Sequence, residues 1–176
     1  MARTEVAYTD YLPETLKVAV NRGLLLVAMD RDGKPNAMAI GWVTFGVMWG
    51  KPVCMVMVRP SRYTYRLMAR SQDFTVNVPP RDLEETVSFC GSVSGRDHDK
   101  FKERGLTAAP AKKVQTPVID QCVIHYECKL LYVHDLERSV LDSQVDSGCY
   151  PQGDYHRVYF GEIVSVYATE DARQRL

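Results

Sequence analysis

The sequence has no excess charge of either sign: 22 Lys and Arg balance 22 Asp and Glu across 176 residues. A chain so balanced sets up no global field for a polyanion, so nucleic acid is not expected as a partner. No apolar run approaches the roughly 20 residues that span a bilayer, and Met1-Ala2-Arg3-Thr4-Glu5 lacks the apolar stretch of a secretory signal. The expectation is a soluble, cytoplasmic protein with no membrane attachment. Cys54, Cys90, Cys122, Cys128 and Cys149 are odd in number and form no Cys-x-x-Cys pair, which argues against a disulfide framework and a zinc site. Cys122 and Cys128 could share one face of a strand, but no third or fourth ligand accompanies them, so no metal is expected. His98, His125, His134 and His156 are spaced neither as a metal pair nor beside an obvious nucleophile. The Gly-x-Gly-x-x-Gly and Gly-x-x-x-x-Gly-Lys-Ser/Thr cradles are both missing, as are internal repeats and long linkers.

What is present is one domain over residues 1–176, with 45% hydrophobic residues and 25% charged, ordinary for a globular core. Gly23–Asp30 reads as a strand ending in a turn, and Asn36–Phe45 as a second strand forming a hairpin with it. Val53–Val58 is apolar at every position, as in a strand buried on both faces. Arg62–Arg70 predicts a short helix, Phe74–Val78 a strand stopped by Pro79-Pro80, and Asp82–Phe89 and Asp97–Arg104 two further helices. Cys122–His134, Ser139–Ser147 and His156–Thr169 carry β-branched, alternating patterns. Strands outnumber short helices, so the expected fold is a mainly β barrel or strongly bent sheet with short peripheral helices.

The most informative segment is Arg59-Pro60-Ser61-Arg62-Tyr63-Thr64-Tyr65-Arg66. Pro60 holds Arg59 extended and Ser61 is a good N-cap residue. The first turn that follows contains Arg62 and no acid, although helix N-termini prefer negative charge. A bound phosphate would resolve that conflict by accepting the free N–H groups, the Ser61 and Thr64 hydroxyls and the two guanidiniums. The competing reading is a pair of solvated arginines. In Asn36–Thr44, Ala37, Ala39 and Gly41 point one way and Met38, Ile40 and Trp42 the other. The small face could take a flat ring system, another sheet or a second subunit. Cys90–Phe101, rich in Gly and Ser, reads on its own as a loop between elements.

Taken in order, residues 36–42, 51–64, 74–79 and 90–101, with His156 and Phe160-Gly161-Glu162-Ile163, resemble the flavin reductase-like family, nearest its flavoredoxin branch. The resemblance covers nearly the whole chain. It implies an FMN-binding split β-barrel, usually a homodimer with the flavin near the subunit interface. It places the phosphate at Arg59, Ser61, Arg62 and Thr64, with Tyr63 among the cofactor-binding residues. It lays the ring along Met38, Ala39, Ile40, Gly41 and Trp42. Ser94, Gly95 and Lys100 would close the site, Asn77 would add a contact, and Lys100 would offset charge on reduced flavin. Hydroxyls common along that strand in the family are replaced here by Ala and Gly, so main-chain contacts are expected. Gly153-Asp154-Tyr155-His156 holds one residue more than the family's Gly-Asp-His, while His156 keeps its distance to Gly161. His156 is therefore carried over as the catalytic candidate that positions or gates a hydride donor.

The implied activity is NAD(P)H-dependent reduction of FMN with onward electron transfer. The alternatives are a non-catalytic FMN carrier reduced by a redox protein partner, or a barrel holding FAD, F420 or pyridoxal phosphate. No Rossmann unit is present, so NADH or NADPH would dock directly over the flavin.

Overall fold

The computed structural model describes residues 2–176. In chain order the elements are β1 (Arg3–Glu5), α1 (Leu12–Asn21), β2 (Leu24–Met29), β3 (Pro35–Ile40), β4 (Val43–Met48), β5 (Lys51–Val58), α2 (Tyr63–Met68), β6 (Asp73–Val78), α3 (Glu84–Ser92), α4 (Lys100–Glu103), β7 (Ala108–Ala109), β8 (Val118–Ile119), β9 (Ile124–Asp135), α5 (Ser143–Cys149), β10 (Arg157–Thr169) and α6 (Ala172–Arg175). The main antiparallel sheet runs β3-β2-β6-β9-β10-β5-β4, and β1 also pairs with β10. As expected, the fold is mainly β with short helices.

The sheet order fixes where a site can lie. β3 and β4 are its two edges, yet only Gly41 and Trp42 separate them in sequence. The three steps from Ile40 to Val43 span at most about 11 Å, so the sheet must curl until its edges approach. The predicted continuous strand over 36–45 is therefore two strands, broken at the seam where the barrel fails to close. Register shifts in the β9–β10 pair at Phe160/Gly161 and Ile163/Ser165 help bend the sheet. Gly161 is required at the first: a Cβ there would lie 2.5 Å from the Phe74 ring and 2.8 Å from Cys128 Cβ.

Two cores result. Leu24, Leu26 and Ala28 face the barrel interior with Phe74, Tyr126 and Tyr159, while Leu25 and Val27 face outward beneath α3 and α4 with Ala37, Val87, Cys90 and Phe101. The unbroken apolar run of β2 is thus buried on both sides. β5, expected to be so, leaves Met55 and Met57 half-buried. Cys128 belongs to the first core and Cys122 to the second, so they do not share a face.

The stretch 139–147, predicted as a strand, is instead a short 3-10 turn and α5. Asp142 decides this, its carboxylate accepting from the N–H groups of Gln144 at 2.9 Å and Val145 at 3.2 Å. The helix predicted over 97–104 contracts to α4, capped by Asp99, which accepts from the Lys102 N–H at 3.2 Å.

Candidate functional site

Two adjoining hollows lie at the seam, sharing Met38 and Arg62. The first, about 250 Å³, is lined by Asn36, Ser61, Arg62, Tyr63, Thr64, Ser94, Gly95, Arg96 and Lys100 among others. Three cations and no carboxylate face it. The second, about 210 Å³, runs along Met38, Ala39, Ile40, Gly41 and Trp42 and is closed by Met57, Arg59, Gly91 and His156. It too has no acidic lining. Together they reach the size of ordinary ligand pockets, roughly 300–1,000 Å³.

The cationic hollow is assembled from three segments. α2 begins one residue later than expected, with Arg62 as its N-cap and Tyr63 and Thr64 contributing its first N–H groups. Its first turn contains no acid. Thr64 Oγ1 accepts from Asn36 Nδ2 at 3.0 Å, which leaves its own proton free to donate. Arg96, overlooked in the sequence, arches back to donate both terminal nitrogens to the Ser61 carbonyl at 3.2 Å. Gly95 is required for that approach: a Cβ there would overlap Asn36 Oδ1 and lie 2.8 Å from Tyr63 Cδ1.

Several predicted roles change place. Ser61 does not cap α2. Its hydroxyl donates to Asp154 Oδ2 at 2.6 Å and its N–H to Asp154 Oδ1 at 3.1 Å. The segment thus has a carboxylate nearby, supplied from 93 residues away. Arg59 faces the second hollow, away from the cationic one. It donates to the carbonyls of Cys149 at 2.9 Å and Asp154 at 3.5 Å, and its guanidinium lies 5.0 Å from the Tyr150 ring centre. Lys100 lines the cationic hollow and not the flat one. Its Nζ donates to the carbonyls of Ala37 at 3.0 Å and Cys90 at 2.7 Å, tying β3 to α3, and burial holds its ammonium below the usual lysine range. Asn77 is not brought to the site. It is fully buried in β6, donating to Leu25 O and Thr75 Oγ1 while its Oδ1 accepts from the Ile119 N–H and meets His125 Nδ1.

The small strand face also finds a different neighbour. Ala37 and Ala39 pack against α3, so closely that a Cβ added at Gly91 would lie 3.2 Å from Ala39 Cβ. What β3 offers the flat hollow is its unpaired edge, together with the exposed Gly41–Trp42 link.

His156 closes the flat hollow, its ring 4.8 Å from that of Trp42 and its Nδ1 2.8 Å from the Tyr150 hydroxyl. Burial, reinforced by the Arg59 charge, pushes its pKa down to about 4, so the imidazole is neutral at pH 7.

The chain's residues 18–176 match the model of the flavin reductase like domain. This chain belongs to that family. An uncharacterized family relative from Archaeoglobus fulgidus is 29% identical over 133 residues, 76% of this chain and 65% of its own length. A second, from Pyrococcus abyssi, is 30% identical over 62% of each chain, so this chain spans somewhat less than two-thirds of both relatives. Among solved structures, the flavoredoxin of Desulfovibrio vulgaris (Miyazaki F) aligns with a TM-score of 0.67 and 28% identity, over 85% of this chain and 70% of its own. A split barrel domain protein from Shewanella frigidimarina aligns with a TM-score of 0.69 at 18% identity, over 94% and 77%. The family fold is therefore the FMN-type split barrel expected from the sequence.

Proposed function

We propose that the paired hollows hold FMN, phosphate in the cationic one and ring in the flat one, and that the protein is a flavin-dependent oxidoreductase reduced by NADH or NADPH. The observation that carries this is the acid-free pairing itself: Arg62, Arg96 and Lys100 converge on one hollow, and it adjoins a slot walled by Met38–Trp42 and Met57 and closed by Arg59 and His156. That donor set fits a phosphate joined to an aromatic system. FMN, when bound, would supply the hydride and electron chemistry.

The chain's own residues bind, orient and shield. Arg62 and Arg96 supply charge, and Thr64 Oγ1, Ser94 and the first N–H groups of α2 supply direction. The Met38–Trp42 backbone forms the wall of the ring slot. His156, neutral and held by Tyr150, adds no competing positive charge where a nicotinamide would approach. Likeness to flavoredoxins at 28% and 29% identity favours a second reading, an electron carrier reduced by a protein partner. The proposal includes a homodimer. Trp49, 60% exposed, lies against the half-exposed Tyr132, and Val47, Met48, Leu131 and Val133 are also exposed on the same two strands, apolar surface that a second copy would cover.

The test is to purify the chain, identify any released cofactor by mass spectrometry and titrate FMN by fluorescence. Arg62→Ala and Arg96→Ala should each weaken FMN binding about tenfold to a hundredfold, the worth of a charge-assisted bond. Unchanged affinity in both would remove the phosphate assignment. Stopped-flow mixing separates the two activities: rapid flavin bleaching by NADH or NADPH supports the reductase, and bleaching slow with both but fast with a protein donor supports the carrier.

A further inference from the structure

At the rim of the flat hollow Trp42 is 45% exposed, an aromatic ring left open to stack on something, and His156 stands against it with ring centres 4.8 Å apart. The two ring nitrogens of His156 differ. Nδ1 lies 2.8 Å from the Tyr150 hydroxyl. Nε2 has no hydrogen-bond partner among the described residues and is not sealed from solvent, so it opens on the slot. A phenol is the better donor of the pair and an imidazole nitrogen the better acceptor. Tyr150 therefore donates, Nδ1 accepts, and the imidazole proton sits on Nε2.

A neutral imidazole is a poor acid. It can release the Nε2 proton only if Nδ1 gains one in the same event, and Tyr150 is placed to supply it. Tyr150 is buried and held on several sides: Tyr155 stacks on it at 4.8 Å, Trp42 meets it edge-on at 6.3 Å, and the Arg59 guanidinium lies 5.0 Å from its ring centre. That guanidinium bonds only carbonyls, those of Cys149 and Asp154, so its charge is free to stabilise the phenolate that proton release creates. Burial, Arg59 and Arg62 oppose a charged His156, and Asp154 favours one. The balance keeps the ring neutral at pH 7, which rules out imidazolium as the donor and makes the phenol necessary.

We propose that Tyr150 and His156 form a proton relay for a second substrate, a small quinone that stacks beside Trp42 and is reduced to its hydroquinone. The proposal rests on the FMN reading for its reductant, the dihydroflavin. In the step the dihydroflavin loses a hydride to the quinone and is oxidised. The quinone oxygen takes the Nε2 proton as Nδ1 takes the Tyr150 proton. Water then returns a proton at Nε2 while Nδ1 gives the phenolate its own back. One hydride and one proton thus convert quinone to hydroquinone. The substrate class follows from the site: a flat ring suits Trp42, a carbonyl oxygen suits the Nε2 proton, and a neutral acceptor needs no further charged partner.

The test uses the full chain loaded with FMN, reduced with dithionite and mixed in stopped flow with menadione or with ferricyanide, which takes single electrons and no proton. Tyr150→Phe keeps the ring and removes the relayed proton. It should slow reoxidation by menadione about tenfold to a hundredfold, the low end of what a positioned acid contributes, while reoxidation by ferricyanide does not fall with it. Wild-type reoxidation by menadione should also slow in deuterated water. Independently of flavin, nitrogen NMR of the flavin-free chain should find the His156 proton on Nε2. A proton on Nδ1, an equal menadione rate in the two proteins, or a variant in which both acceptors slow alike overturns the relay. If Tyr150→Phe does not fold, the wild-type tautomer and the deuterium comparison decide it, and a menadione rate unchanged in deuterated water overturns it. A chain that binds no FMN removes the FMN reading and the relay with it; FMN bound and reduced but not reoxidised by menadione removes the relay alone.

Discussion

Ser61 gives Asp154 both its N–H and its hydroxyl, one to each carboxylate oxygen, at 3.1 and 2.6 Å. The contact joins the turn before α2 to the loop before β10, and so couples the cationic hollow to the loop that carries His156. Asp154 holds a left-handed backbone, φ +60°, which an L residue other than glycine adopts at a cost. Asp154→Ala should lower stability by about 1–2 kcal/mol through the lost charge-assisted bonds. Asp154→Gly should recover part of that by relieving the backbone. Thermal denaturation checks both: an alanine variant as stable as wild type would contradict the bracing role, and a glycine variant less stable than the alanine one would contradict the backbone cost.

Gly95→Ala forces a methyl group into Asn36 and Tyr63. Asn36 holds the Thr64 hydroxyl, so the clash is transmitted to the phosphate hollow. The expected outcome is a stability loss of about 1–3 kcal/mol, as for overpacking elsewhere, together with weaker FMN binding. Gly33→Ala is the control for glycine replacement, since its Cβ would meet nothing within 4 Å although its φ is +81°. It should leave FMN affinity unchanged.

The pH dependence follows from two buried histidines. Burial lowers His156 to about 4 and His125 to about 3, from an ordinary value of 6.5. In the unfolded chain both take up protons below about pH 6.5, so the unfolded state gains protons that the folded state refuses. Stability is fully present above about pH 6.5 and is lost progressively as pH falls, the His156 contribution toward about 4 and the His125 contribution toward about 3. Urea unfolding at a series of pH values should show that slope, and His156→Gln should make it shallower. An unchanged slope would mean that His156 is not held neutral.

The exposed aromatic cluster predicts assembly. Trp49 stands at a hairpin tip with φ +54°, its ring 6.3 Å from Tyr132 and 6.0 Å from Phe160. A second copy covering this face should make the protein dimeric in sedimentation experiments, and Trp49→Lys with Tyr132→Glu should make it monomeric. A wild-type monomer would count against the homodimer.

Legibility in the sequence followed the range of the interactions. The strands at 24–29 and 73–78 and the helix after Arg62 were readable because local apolar patterning decides them. The missing acid in the first turn of α2 was readable for the same reason. Asp154 was not, since its partner lies 93 residues away and no spacing rule connects them. Arg96 was hidden beside Asp97 in what read as an ordinary charged helix start. The break at Gly41–Trp42 exists because the sheet closes on itself, a constraint no single strand carries. At 139–147 the Val and Ser content pointed to a strand, but Asp142 at an N-cap outweighed it.

The most direct measurement is a crystal structure of the chain with FMN. The expected density places the phosphate between Arg62 and Arg96 at the start of α2, and the ring along Met38–Trp42 beside His156. Flavin bound elsewhere, with those two arginines unengaged, would contradict it.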